Sequence, residues 1–219
     1  MPDAVAYDMR FQDRADAGRQ LANRLKRYAN RPNVLVLGLP RGGVPVAYEV
    51  AQALDAPLDI CLVRKLGVPD REELALGAIA SGGVRVLNDD VVSGMNISAS
   101  TIDAVAAKEL QELQRRDRAY RGDRPPLDVR DRIIILVDDG IATGATMRAA
   151  ISVIQPQQPA QLIVAAPVAA PSLYDELSLK VDEVVCVALP DRLTAIGYWY
   201  EDFSQTSDED VRQLLANQP

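Results

Sequence analysis

Residues Arg132 to Thr146 read RIIILVDDGIATGAT. Ile133 to Val137 form an unbroken aliphatic run, the composition of a strand buried on both faces. Two adjacent carboxylates follow, Asp138 and Asp139, and then a loop of glycine, alanine and threonine that leads straight into the helix-like segment GATMRAAISVIQ. Backbone N–H groups at a helix N-terminus, aided by the helix dipole, form an anion site. Gly144 lets the chain approach a ligand closely, and Thr143 and Thr146 add hydroxyl donors. The loop therefore suits one phosphate, yet neighbouring carboxylates repel phosphate. Both features fit a ligand that carries a phosphate at one end and hydroxyls beside it, as ribose 5-phosphate does. Three rival readings compete. A Walker B strand would need a G-x-x-x-x-G-K-[ST] loop, and the chain has none. A response-regulator acidic pocket belongs near the start of its domain, whereas this pair lies late in the chain. The third rival is an ordinary strand-to-helix turn with solvated charges.

Working outward, apolar strand-like runs alternate with amphipathic segments. FQDRADAGRQLANRLKRYAN predicts a helix from about Asp13 to Tyr28, and NVLVLG a short buried strand ending at Gly38. The loop LPRGGVP and a helix follow, and PLDICLVR reads as the second strand, ending in Arg64 and Lys65. LALGAIA and VRVLN, separated by Ser81-Gly82-Gly83, read as a hairpin. Ser98 or Ser100 caps a long helix over 101–120, a candidate homodimer surface. AQLIVAAPVA and VDEVVCVAL are further strands around the short helix PSLYDEL, and Thr206 with Glu209 predicts a capping box for a last helix from Ser207. This alternation implies an α/β fold: a central, mostly parallel sheet with helices on both faces. In such sheets ligands bind beyond the carboxyl ends of the strands, where the loops at 38–44 and 138–146 lie.

Composition narrows the chemistry. The chain has 219 residues, of which 48% are apolar, enough for a sizeable core without disulfide or metal. There is no histidine, which removes Ser-His-Asp catalysis and most zinc sites, so an oxygen-bound metal such as magnesium is the expectation. Cys61 and Cys186 sit in apolar runs and read as buried small hydrophobes. A net charge of −7 argues against general nucleic-acid binding. The clustered Arg115, Arg116, Arg118, Arg121 and Arg124 read as the solvated end of the long helix. The charged start and the lack of an ~18-residue apolar run lead us to expect a soluble cytoplasmic protein with no membrane partner.

The stretch ILVDDGIATGATM resembles the 5-phosphoribosyl-1-pyrophosphate (PRPP) motif of the type I phosphoribosyltransferases. LPRGGVP resembles the pyrophosphate loop of that superfamily, closest to the SRGG loop of bacterial xanthine-guanine enzymes. The opening F-x-D-R-x-x-A-G-x-x-L-A and the tail WY-x-DF-x-Q are similar to those of a set of bacterial predicted phosphoribosyltransferases of unassigned acceptor. The resemblance implies a single domain over residues 1–219, with a core at about 33–190. A small hood would come from about 1–30 and 191–219, and a β-hairpin lid from 65–83.

It also implies roles for named residues. Asp138 and Asp139 would hold the ribose diol, and Ala142, Thr143, Gly144, Ala145 and Thr146 the 5-phosphate. Arg41, Gly42 and Gly43 would hold pyrophosphate with Arg64, and Lys65 would steady the leaving group. Mg2+ would lie on Asp138 and Asp139 with Asp202, since the tail IGYWYEDF resembles the GY-x-x-DY segment of the hypoxanthine enzymes, although its acids fall in a different register. Tyr198 and Trp199 would stack on a base, or pack a hood along with Phe11 and Arg14. Ala142 replaces the acid that contacts a 6-oxopurine, and ATG-x-TM is closer to the adenine enzymes. The implied activity is Mg-dependent transfer of phosphoribose from PRPP to a nitrogen acceptor, with a PRPP-binding regulator and a PRPP hydrolase as alternatives.

Overall fold

A computed structural model describes residues 10–217 apart from 123 and 126; positions 1–9 and 218–219 of the expected hood, and those two residues of the connector after the long helix, lie outside the described residues. Five strands form a parallel sheet: β1 (Val34–Gly38), β2 (Leu58–Ile60), β6 (Ile133–Val137), β7 (Gln161–Val168) and β8 (Glu183–Ala188), in the order β2-β1-β6-β7-β8. Every residue of β1 and β6 is buried. Alternation sends Val34, Val36, Ile133 and Ile135 to one core and Leu35, Leu37, Ile134 and Leu136 to the other. That is why these strands read as continuous apolar runs; each fully buried Val, Leu or Ile contributes roughly 1.5–3 kcal/mol. Helices α1 (Arg14–Leu25) and α2 (Gly43–Leu54) line the first core, and α5 (Ala145–Ile154) and α6 (Pro171–Ser178) the second.

The strand order places the loops. β1 and β6 are in-register neighbours, with Gly38 beside Val137. The chain leaving β1 through α2 turns back toward β2, while the chain leaving β6 through α5 moves the other way to β7. The two loops diverge from adjacent strand ends and leave a crevice, the usual ligand position in an open α/β sheet.

A second, antiparallel sheet joins β3 (Val63–Val68), β4 (Arg71–Ala80) and β5 (Arg85–Leu87). The expected second strand PLDICLVR is thus two elements: pairing with β1 stops at Ile60, and the chain re-pairs with β4 from Val63. Arg64 and Lys65 lie inside β3, not at the end of a core strand. The hairpin turn at Ser81-Gly82-Gly83 is present, but β3 adds a third strand to the sheet, and the expected lid segment 65–83 holds two of the three. A short helix not read from the sequence, α3 (Asp89–Gly94), leads to α4 (Ala99–Arg121), whose cap is Ser98, accepting from Thr101 N–H. The last helix, α7 (Asp208–Ala216), carries its capping box on Ser207 and Asp210, not Thr206 and Glu209; Thr206 is buried instead.

The arginine-rich end of α4 also differs from expectation. Arg121 is buried, and its Nε and Nη2 donate to the two carboxylate oxygens of Asp59 at 2.9 Å each, tying α4 to β2. Arg124 donates to Leu215 O of α7, and Arg115 and Arg116 share Glu112. Spacing alone does not separate a solvated arginine from a buried one that reaches a half-buried acid 62 residues away. Removing one partner of a buried pair leaves an uncompensated charge, so Arg121→Ala should lower unfolding free energy by about 3 kcal/mol, measured by urea denaturation.

Candidate active site

The site forms where β1 and β6 end. The loop after β1 runs Leu39-Pro40-Arg41-Gly42 into α2, with a cis peptide between Pro40 and Arg41. Its glycines press against the acidic pair. A Cβ on Gly42 would fall 2.0 Å from Asp139 Oδ2, and one on Gly43 2.8 Å from Asp138 Cα. Only residues without a side chain allow the two loops to lie this close. Gly43 N–H donates to Leu39 O at 3.0 Å, so it serves the turn itself and is not available to pyrophosphate as expected.

Each acid is held by one oxygen. Asp138 Oδ1 accepts from the backbone N–H of Asp139 at 2.9 Å, and Asp139 Oδ2 accepts from Arg14 Nε at 2.8 Å. Burial pushes the Asp138 carboxyl well above the usual range and the Asp139 carboxylate adds to this, while the Asp139 N–H and Arg14 oppose it. Burial raises Asp139 too, against the hydrogen bond and charge of Arg14. Two like charges this close favour holding a proton, and a cation would relieve the same repulsion.

Beyond the acids, Thr143 and Thr146 are exposed, and Gly144 adopts φ +72° as the N-cap of α5 without supplying a side-chain cap. The first-turn N–H groups are thus left to other acceptors, apart from a long contact of Ala145 N–H with Thr143 Oγ1 at 3.5 Å. Arg148, one turn in, fixes the loop by donating to Thr143 O and to both oxygens of Glu176.

The hood residues do more than pack. Phe11 pairs with the tail through Phe11 N–H to Trp199 O and Glu201 N–H to Phe11 O. Tyr200 is buried beside Phe11, and its hydroxyl donates to Asp139 O at 2.6 Å; burial keeps that phenol protonated. Arg14 also donates to Ser204 O and stacks 4.0 Å from the Phe203 ring centroid. Arg14, a hood candidate in the sequence, therefore bridges the acidic pair to the tail. A sequence signal for it existed: Arg14 is the first residue of α1, where the helix dipole disfavours a cation.

Other predicted residues lie apart. Arg64 donates to Glu109 of α4 at 2.6 Å, and Arg41 faces Asp208 at 3.4 Å. Tyr198 is exposed, and Trp199 packs against Phe11 and Tyr200. Asp202 accepts from Ser204 N–H and borders, with Arg14 and Pro45, a cavity of about 220 Å³. Among the described residues no three acidic, cysteine or histidine side chains group closely enough to hold a metal, so a cation here would rest on Asp138 and Asp139 and on ligand oxygens. Burial pushes both thiols up to about 12, as inert small hydrophobes require.

A model of the phosphoribosyl transferase domain matches residues 10–200. The chain belongs to that family. A Mycobacterium tuberculosis (strain ATCC 25618 / H37Rv) protein named "Putative phosphoribosyl transferase Rv0571c" is 51% identical over 205 residues, covering 94% of this chain and 46% of that protein. The chain thus spans about half the length of the curated relatives it matches. Among solved structures, TT1426 from Thermus thermophilus is similar at a TM-score of 0.86 and 42% identity, with 94% of this chain and 98% of that one covered. AQ2163 from Aquifex aeolicus, at a TM-score of 0.50 and 15% identity over 84% of this chain and 78% of that one, shares the fold. The phosphoribosyl transferase match takes in both loops, Arg14 and Tyr200, and ends before α7.

Gly42→Ala should force the loops apart and lower the unfolding free energy by about 1–3 kcal/mol, the cost of overpacking a tight contact, measured by urea denaturation. For Asp138, a raised folded-state pKa means that the folded protein keeps a proton the unfolded chain has released, so stability falls as pH rises from ~4 through the folded value. Asp138→Asn removes that penalty. Its melting temperature should exceed that of the wild type at neutral pH, and the gap should close as pH falls toward 4.

Proposed function

We propose that the protein transfers the 5-phosphoribosyl group of PRPP to a nitrogen acceptor, a nucleobase or similar ring, and releases pyrophosphate. The observation that carries this reading is the direct contact between the PRGG loop and the acidic pair, two segments nearly a hundred residues apart, at the ends of neighbouring strands. In it, Asp138 and Asp139 accept hydrogen bonds from the ribose hydroxyls. Ala142 to Thr146 hold the 5-phosphate through backbone N–H groups and the Thr143 and Thr146 hydroxyls. Arg41 and the Gly42 N–H face the pyrophosphate, and arginine's planar fork suits its oxygens.

The transition state of such a transfer resembles an oxocarbenium ion, so the protein's work is positioning, charge stabilisation and exclusion of water. Mg2+ fits the donor set: it is commonly bound by one or two carboxylates plus substrate oxygens, and the adjacent acids supply two. It would neutralise the leaving pyrophosphate. Arg64 and Lys65 stand on β3 of the antiparallel sheet, which we take as the lid, and Arg64 must leave Glu109 to reach the leaving group. Asp202 would join the metal only by leaving Ser204. Tyr198, the exposed aromatic, is the better placed of the tail pair to stack on an acceptor ring. We take the whole chain as one working unit.

Incubation with PRPP and Mg2+ over a panel of bases, with pyrophosphate release as readout, tests the reading. Release with one base, lost together with PRPP binding in the Asp138→Asn, Asp139→Asn double variant, is expected. Tight PRPP binding without release would instead make the protein a PRPP-binding regulator, and release independent of base a hydrolase.

A further inference from the structure

The guanidinium assigned to pyrophosphate already has an anionic partner. Arg41 Nη1 lies 3.4 Å from Asp208 Oδ1, a long contact between groups that are both more than a third exposed. The carboxylate does not drift: Tyr120 of α4, itself buried, donates its hydroxyl to the same Oδ1 at 2.7 Å. Asp208 is also the first residue of α7, where the helix dipole favours a negative charge. Helix α7 is anchored by Val211 and Leu215, both buried in the main core, and by Arg124 donating to Leu215 O. Tyr120, more than Arg41, holds the Asp208 carboxyl below its ordinary range, so it stays charged at neutral pH. Thus a fixed carboxylate sits against a partly exposed arginine, and the contact is the longer of the two hydrogen bonds that the carboxylate accepts.

We propose that Asp208 is a displaceable counter-ion for Arg41, a positioning residue that parks the guanidinium beside the pyrophosphate loop and must be left behind when a polyphosphate binds. The inference rests on the proposed role of the PRGG loop. It goes beyond that role because α7 lies outside the matched segment 10–200. Its ligand class is a pyrophosphate group, free or as part of PRPP. The physical consequence has a definite sign. A carboxylate a few ångströms from Arg41 competes for the guanidinium and repels the incoming anion, so its removal should strengthen binding. A merely structural carboxylate would weaken binding when removed, or leave it unchanged.

The test is calorimetric titration of the full chain with inorganic pyrophosphate, with and without Mg2+, at moderate salt. Asp208→Asn leaves the Ser207–Asp210 capping box and the Val211 and Leu215 anchors in place. It should bind pyrophosphate about threefold to tenfold more tightly than the wild type, the range for removing one partly screened like charge. In an Arg41→Gln background the gain from Asp208→Asn should shrink, because part of it acts through Arg41. Unchanged or weaker binding by a folded Asp208→Asn protein, with the wild type binding normally, overturns this inference alone. Absence of pyrophosphate binding in wild type and variant alike overturns it together with the assigned role of the loop.

Discussion

Two hydrogen atoms, the Cα substituents of Gly42 and Gly43 where other residues carry Cβ, set the closest approach of two loops on which the site depends. Because Gly42 has no Cβ, Asp139 Oδ2 can lie where one would be. The acidic pair is thereby held against the PRGG loop and not splayed into solvent. That proximity is costly: two carboxylates side by side, partly withdrawn from water, repel each other and are pushed toward protonation. The surrounding structure offsets the cost with the Asp139 N–H, the Arg14 guanidinium and the Tyr200 hydroxyl on the Asp139 carbonyl. Strain between like charges of this sort is expected at a functional centre, where a ligand or cation relieves it.

The parallel sheet makes this contact possible. β1 and β6 are separated by almost a hundred residues of chain, including a complete second sheet and the longest helix, yet they pair in register. Their apolar side chains alternate into two cores, so a one-residue slip would redirect every one of them. Register is thus fixed by burial, and with it the level at which Gly38 and Val137 stop and the loops begin.

The ends of the chain then close the site from the side. Phe11 and Tyr200 pair across nearly the full length of the chain, and Arg14 stacks on Phe203 while reaching Asp139. Helix α7 brings Asp208 to Arg41 over the other loop. Both terminal segments end on a charged group of the crevice, one cationic against the acids and one anionic against the arginine, so each half of the site carries a built-in counter-charge.

Periodicity and loop composition by themselves established the α/β class, the parallel strands and the two loops at their carboxyl ends, because both-face burial and helix-terminal glycines leave local signatures. The same local rules misplaced what depends on distant partners. PLDICLVR is apolar throughout, and only pairing decides that it breaks between Ile60 and Val63. Ser207 prevailed over Thr206 as cap because Thr206 is drawn into the interior. Arg121, Arg64 and Arg14 look alike as charges on a sequence, but one is buried on Asp59, one spans to Glu109 and one reaches the acidic pair. Charge–charge contacts across the fold carry no periodicity, so the chain specifies them only once packing has brought the partners within a few ångströms.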